Sequence, residues 1–200
     1  MAESTIPERP EGADELEKLG LDGLVKVLHD NTDPVVRQYA AYLLGKAKNP
    51  RAIQPLIEAL ADFDKSVREQ ATFALSSIGK AAIEPLTEAM KEPKWETRYR
   101  AAEAMGKIAD EKAIRPLVQA LKDNKEHVRY MAAKGLREIG DSNAVEPMVI
   151  LLGDENRYVR MMAARALGAI GGSKVKEALE AALEKEKDEK VIEAIKIGLA

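Results

Sequence analysis

In 200 residues the sequence has no cysteine, two histidines, one tryptophan and two phenylalanines. The missing cysteine excludes disulfide staples and thiolate chemistry. A metal site needs clustered His, Cys or carboxylate ligands. His29 and His127 stand far apart in the chain and read as surface residues, so no metal is expected. Long apolar runs are also missing: none approaches the roughly 18–20 residues a bilayer crossing needs. The opening stretch "MAESTIPERPEGADE" has no basic region leading into an apolar one. No secretory signal is read there, and a cytoplasmic chain is expected. Glycine patterns that follow a strand and cradle a phosphate are absent; "GAIGG" at Gly168 closes a helix. No serine stands in a nucleophile context. The chain thus offers no catalytic group and calls for no cofactor.

What is present is a globular balance, 46% hydrophobic and 32% charged. The formal net charge of −3 argues against a duplex-DNA binder, because such proteins usually present a basic face. Strand signals do not occur. Instead the chain repeats itself at a period of about 31 residues. Five segments share V-R-x-x-A-A-x-x-L or a close variant: "VRQYAAYLLGKA" from Val36, "VREQATFALSSI" from Val67, "TRYRAAEAMGKI" from Thr97, "VRYMAAKGLREI" from Val128 and "VRMMAARALGAI" from Val159. A sixth, "VIEAIKIGLA", has Ile192 in the arginine's place. Between them recur "AIQPLIEALAD", "AIEPLTEAMKE", "AIRPLVQALKD" and "AVEPMVILLGD", with degenerate copies "LDGLVKVLHD" before and "VKEALEAALEK" after. The alternation predicts about six helix pairs, A then B.

Local chemistry agrees with that division. Asp33-Pro34 and Asp64 stand where an N-cap and a first-turn proline open a B helix. Gly79, Gly140 and Gly171-Gly172 stand where a B helix closes. Pro55, Pro85, Pro116 and Pro147 fall early in the A helices, where a missing N–H costs least. Alanine pairs such as Ala132-Ala133 let neighbouring helices approach. The expected fold is an all-α solenoid whose units bury their apolar faces on one another. Residues 1–13, with Pro7, Pro10 and Gly12, read as a disordered lead-in, and 14–200 as a single repeat domain.

The two recurring motifs resemble the HEAT-like repeats, in particular the short type of the bilin lyases (PBS-lyase repeats), from about Leu21 onward. The resemblance implies a right-handed, armadillo-like superhelix with the A helices convex and the B helices concave. It also implies an acid–arginine ladder between repeats. Asp30, Asp62, Glu92, Asp123 and Asp154 precede Arg37, Arg68, Arg98, Arg129 and Arg160 by six or seven residues. An arginine at the edge of a buried stripe needs acceptors, and each turn supplies an acid and helix-end carbonyls. Bilin lyase subunits handle open-chain tetrapyrroles, and some HEAT-like glycosylases grip DNA; both remain alternatives by resemblance, the second disfavoured by the net acidity. The iron enzyme deoxyhypusine hydroxylase uses His-Glu dipeptides, and none occurs here.

A helical wheel separates the B-helix faces. With each arginine at zero and about 100° per residue, Val128, Ala132, Leu136 and Ile139 occupy the arc from roughly −100° to −20°. The opposite arc carries Tyr39, Tyr42, Phe73, Trp95, Tyr99, Arg100, Tyr130, Met131, Lys134, Tyr158, Met161, Met162 and Arg165. Seven of the eight aromatics are in that set; Phe63, in an A–B turn, is not. Tyr, Trp, Met and Arg are the types enriched where proteins touch one another. The expected function is a non-enzymatic scaffold binding a protein or peptide through this face. The same face could also close a homodimer.

Overall fold

The computed structural model describes residues 6–200, and its regular structure there is entirely helical. A short α1 (Ala13–Lys18) precedes six A–B pairs. These are α2 (Leu21–Asp30) with α3 (Pro34–Ala47), α4 (Ile53–Glu58) with α5 (Lys65–Ile78), and α6 (Ile83–Ala89) with α7 (Trp95–Ile108). There follow α8 (Ile114–Ala120) with α9 (Glu126–Ile139), α10 (Val145–Ile150) with α11 (Arg157–Ile170), and α12 (Ser173–Leu183) with α13 (Glu189–Leu199). The fold class is the all-α solenoid expected from the repeats. Contacts group the chain into two compact units, one ending at Ala104 and one running from Met105 to Ala200. The sequence gives no sign of that division of the expected 14–200 domain.

The turns behave as their chemistry requires. The Asp33 carboxylate accepts from Val35 N–H at 2.8 Å, and Asp64 from Ser66 N–H at 2.7 Å. Both satisfy orphan donors of a first helical turn. Gly140 closes α9 in the left-handed region at φ 72°, where a side chain would be strained. The A helices α4, α6, α8 and α10 each enter through a 3₁₀ turn, and each proline is the third residue of its α segment.

In the first unit α3 packs on α2 and α5, and α4 packs on α5 and α6. Leu44, Leu56, Leu60, Leu75 and Leu86 are fully enclosed there. In the second unit α9 and α13 flank α11, and Met105, Leu117, Leu136, Met148, Leu167, Leu179 and Ile195 form the core. The paired alanines of the B helices are completely buried, as close packing demands. Closest approach falls to glycines. A Cβ on Gly45 would lie 2.6 Å from Ala74 Cα, and one on Gly106 2.7 Å from Gly135 Cα. Gly168 meets the backbone of Gly198 in the same way.

The arginines form the ladder with a detail the spacing does not show. In all five, one guanidinium arm donates to the carbonyl six residues earlier: Asn31, Asp62, Glu92, Asp123 and Asp154. The carboxylate comes from the following turn. Arg37 takes Asp62 at 2.9 and 2.8 Å, Arg129 takes Asp154 at 2.7 and 2.9 Å, and Arg160 takes Glu186 at 2.7 and 3.2 Å. Glu186 is a rung that sequence spacing missed. Two expected rungs are corrected. Asp30 pairs with His29 at 2.8 Å, and among the described residues it takes no repeat arginine. Glu92 stays exposed, and among the described residues Arg68 takes no carboxylate.

Residues 6–13 belong to the expected disordered lead-in; residues 1–5 lie outside the described part. Pro7 is buried, and Arg9 bridges Asp14 at 2.5 Å and Glu17 at 3.2 Å. Glu17 in turn accepts the Tyr39 hydroxyl at 2.5 Å, fastening α1 to α3.

Candidate functional site

The B helices carry the candidate surface, and their shared register shows which expected residues reach solvent. Two positions after each arginine stand Tyr39, Gln70, Arg100, Met131 and Met162. Tyr39, Gln70, Met131 and Met162 are buried, and the Arg100 side chain is only 12% exposed. The expectation that Tyr39, Met131 and Met162 face outward is therefore corrected. On the wheel this position lies at about 200°, only some 60° beyond the edge of the core stripe. A helix packed on both flanks, as α11 is by α9 and α13, buries a wider arc than one lying on a single surface.

The remaining positions stay in contact with water. Tyr42, Phe73, Trp95 and Tyr99 are half-buried in the first unit. Trp95 and Tyr99 meet edge to face with ring centroids 6.4 Å apart, and Tyr42 sits 5.7 Å from the Tyr39 ring. Arg100 joins Glu103 at 2.8 Å and Glu69 at 3.3 Å, tying α7 to α5. It serves packing more than an open surface, whereas Glu96 beside it is exposed.

In the second unit Tyr130, Lys134 and Met161 are half-buried, and Tyr158 and Arg165 are exposed. The Tyr158 ring is 50% accessible. Arg157 lies 4.8 Å from that ring's centre and donates to its hydroxyl at 3.0 Å. This donation, reinforced by the guanidinium charge, holds the phenol below the usual tyrosine range. Asp188 anchors Arg157 from the next turn at 3.3 Å.

Phe63 escaped the wheel because it belongs to no helix. It is fully exposed at the rim of an open cleft of about 750 Å³ that also borders His29, Arg37 and Asp62. An aromatic between Asp62 and Asp64 in a polar turn was the available signal. Among the described residues no three His, Cys, Asp or Glu side chains gather as a metal site would require, and no helix is long and apolar enough to cross a membrane.

Comparison with known proteins agrees with the repeat architecture. The family model for HEAT repeats matches residues 21–94, 53–129, 83–154 and 114–200. A phycocyanobilin lyase subunit alpha from Picosynechococcus sp. is 31% identical over 103 residues, 46% of this chain. The match spans only 38% of that relative's length. Among solved structures, the complex of CpcE and CpcF of phycocyanin lyase from Nostoc sp. superposes with a TM-score of 0.71 at 20% identity, covering 76% of this chain and 100% of that one. A designed armadillo repeat protein in complex with the peptide (KR)4 gives 0.57 at 23% identity, over 90% and 98% of the two chains.

Proposed function

The chain belongs to the HEAT-repeat family, and from that premise we propose that it is a non-enzymatic scaffold binding a protein or peptide through its B-helix faces. One observation carries this reading. Six of the seven B-helix aromatics keep contact with water although each unit already has a closed aliphatic core. Withholding a large side chain from full burial forgoes on the order of 1 kcal/mol or more. A partner that covers the rings recovers it. The anchors are Tyr42, Phe73, Trp95 and Tyr99 in the first unit and Tyr130, Tyr158 and Met161 in the second.

Selection of a displayed random-peptide library against the full chain tests the proposal. Alanine at Trp95 with Tyr99, or at Tyr130 with Tyr158, should abolish binding of the selected peptides while the chain stays folded. Alanine at Phe63, in an exposed turn outside the B helices, should leave binding intact. Loss of folding in both double variants would mark the rings as core and end the proposal.

A second reading rests on the lyase relative and on the likeness to the lyase complex: the B-helix face would then handle phycocyanobilin. Its measurement is the visible absorbance of that pigment titrated with the chain. A red-shifted, saturable change lost with Tyr130→Ala and Tyr158→Ala supports it, and an unchanged spectrum removes it.

A further inference from the structure

The B-helix surface of the second unit combines half-open rings with cations that form no ion pair among the described residues. Helix α11 carries Arg157, Arg160 and Arg165 and no carboxylate. Arg157 is held by Asp188 and Arg160 by Glu186. Arg165 is exposed, and among the described residues it has neither an ion pair nor a hydrogen bond. On α9, Arg129 is spent on Asp154 and Arg137 on Glu138, while Glu126 faces His127 at 3.4 Å. That leaves Lys134, half-buried and likewise without a partner among the described residues.

Lys134 and Arg165 occupy the same register, five residues after Arg129 and Arg160, on helices packed side by side. One turn back on each helix stand Tyr130 and Met161, with Tyr158 beyond. In a chain of formal net charge −3 this pairing of free cations is local. The equivalent positions of the first unit are Tyr42, Phe73 and Glu103. Two cations at one register of adjacent helices, neither in an ion pair among the described residues, favour an external anion. The rings and the methionine beside them suit an apolar anchor.

We infer that the α9–α11 face of the second unit docks an acidic peptide segment, carboxylates on Lys134 and Arg165 and an apolar or aromatic side chain over Tyr130, Tyr158 and Met161. This deepens the scaffold reading and rests on it.

The test uses the full chain and fluorescent peptides of equal length. One peptide is rich in Asp and Glu around a central Trp, one is rich in Lys and Arg around the same Trp, and a third is acidic with Ser in place of Trp. The acidic Trp peptide should bind at least about tenfold more tightly than either control, and less tightly as salt rises. Lys134→Glu with Arg165→Glu should reverse the charge preference. Arg165→Glu alone, at an exposed site, should weaken acidic binding even if the double variant folds poorly. Phe63→Ala, outside every B helix, should change nothing. Equal binding of acidic and basic peptides, lost with Tyr130→Ala, would overturn the acidic assignment and leave the scaffold reading standing. Preference for the basic peptide, or tighter retention of a DNA duplex than of the acidic peptide, would overturn it too. Failure of every peptide to bind would overturn both.

Discussion

Arg129 and Asp154, twenty-five residues apart, meet through two hydrogen bonds at 2.7 and 2.9 Å, with both side chains about nine-tenths enclosed. The free arm of the same guanidinium holds the Asp123 carbonyl at 2.9 Å. Removing either partner strands a charge in a poorly solvated place. Asp154→Ala should therefore destabilise the second unit by about 3 kcal/mol. Arg129→Lys should also lose stability, since an ammonium cannot span both acceptors. Arg68→Gln, at an arginine with carbonyl acceptors only, should cost about 1 kcal/mol. Urea unfolding of the three variants gives the comparison.

Acid should loosen the same ladder near its end. Arg160, donating to Glu186, holds that carboxylate at about 2, against an ordinary value of 4.5. The folded state thus binds the proton less readily than the unfolded state. The resulting stability is complete above pH 4.5 and is lost as pH falls towards 2; it amounts to roughly 3 kcal/mol. Glu186→Gln should lower stability at neutral pH and flatten its decline across that acid range. Urea midpoints measured along the pH series would show both effects, and an unchanged slope would contradict the assignment.

Glycine at the helix crossings should tolerate no side chain. Gly168→Ala would drive a methyl into the Gly198 backbone, and Gly45→Ala into the Ala74 backbone. Each should destabilise by about 1–3 kcal/mol. Gly153→Ala, which meets nothing within 4 Å, should stay within about 0.5 kcal/mol of the parent. Thermal melts suffice to rank the three.

Tyr39 and Tyr158 should part company when mutated. Tyr39→Phe removes the hydroxyl held by Glu17. Faster proteolysis and amide exchange around α1 should follow, with partner binding unchanged. Tyr158→Ala should leave the melt unaltered and weaken peptide capture.

These four residue types also mark how far the sequence could be read. Helix pairs, caps and glycine stops follow from local rules, so Asp33, Asp64 and Gly140 sit where spacing put them. The wheel failed at Tyr39, Met131 and Met162 because it treats a helix as having one dry side. Neighbours on two flanks made the shoulder dry as well. Gly168 and Gly198 lie thirty residues apart, and only three-dimensional packing shows that they touch. Glu186 was missed because the acid partner of Arg160 lies ahead of it in the chain, whereas the motif had drawn attention to acids behind.

The unfilled rung at Arg68 and Glu92 has a mechanical consequence. In a stack held by contacts between successive repeats, opening starts where the tie is weakest and spreads from there. Among the described residues the turn after α6 is fastened to the preceding B helix by no such guanidinium clasp, unlike the turn after α4, where Asp62 accepts from Arg37. Thermal breathing of the first unit should begin at that joint, making the α6–α7 corner its first place to yield under tension or to a protease.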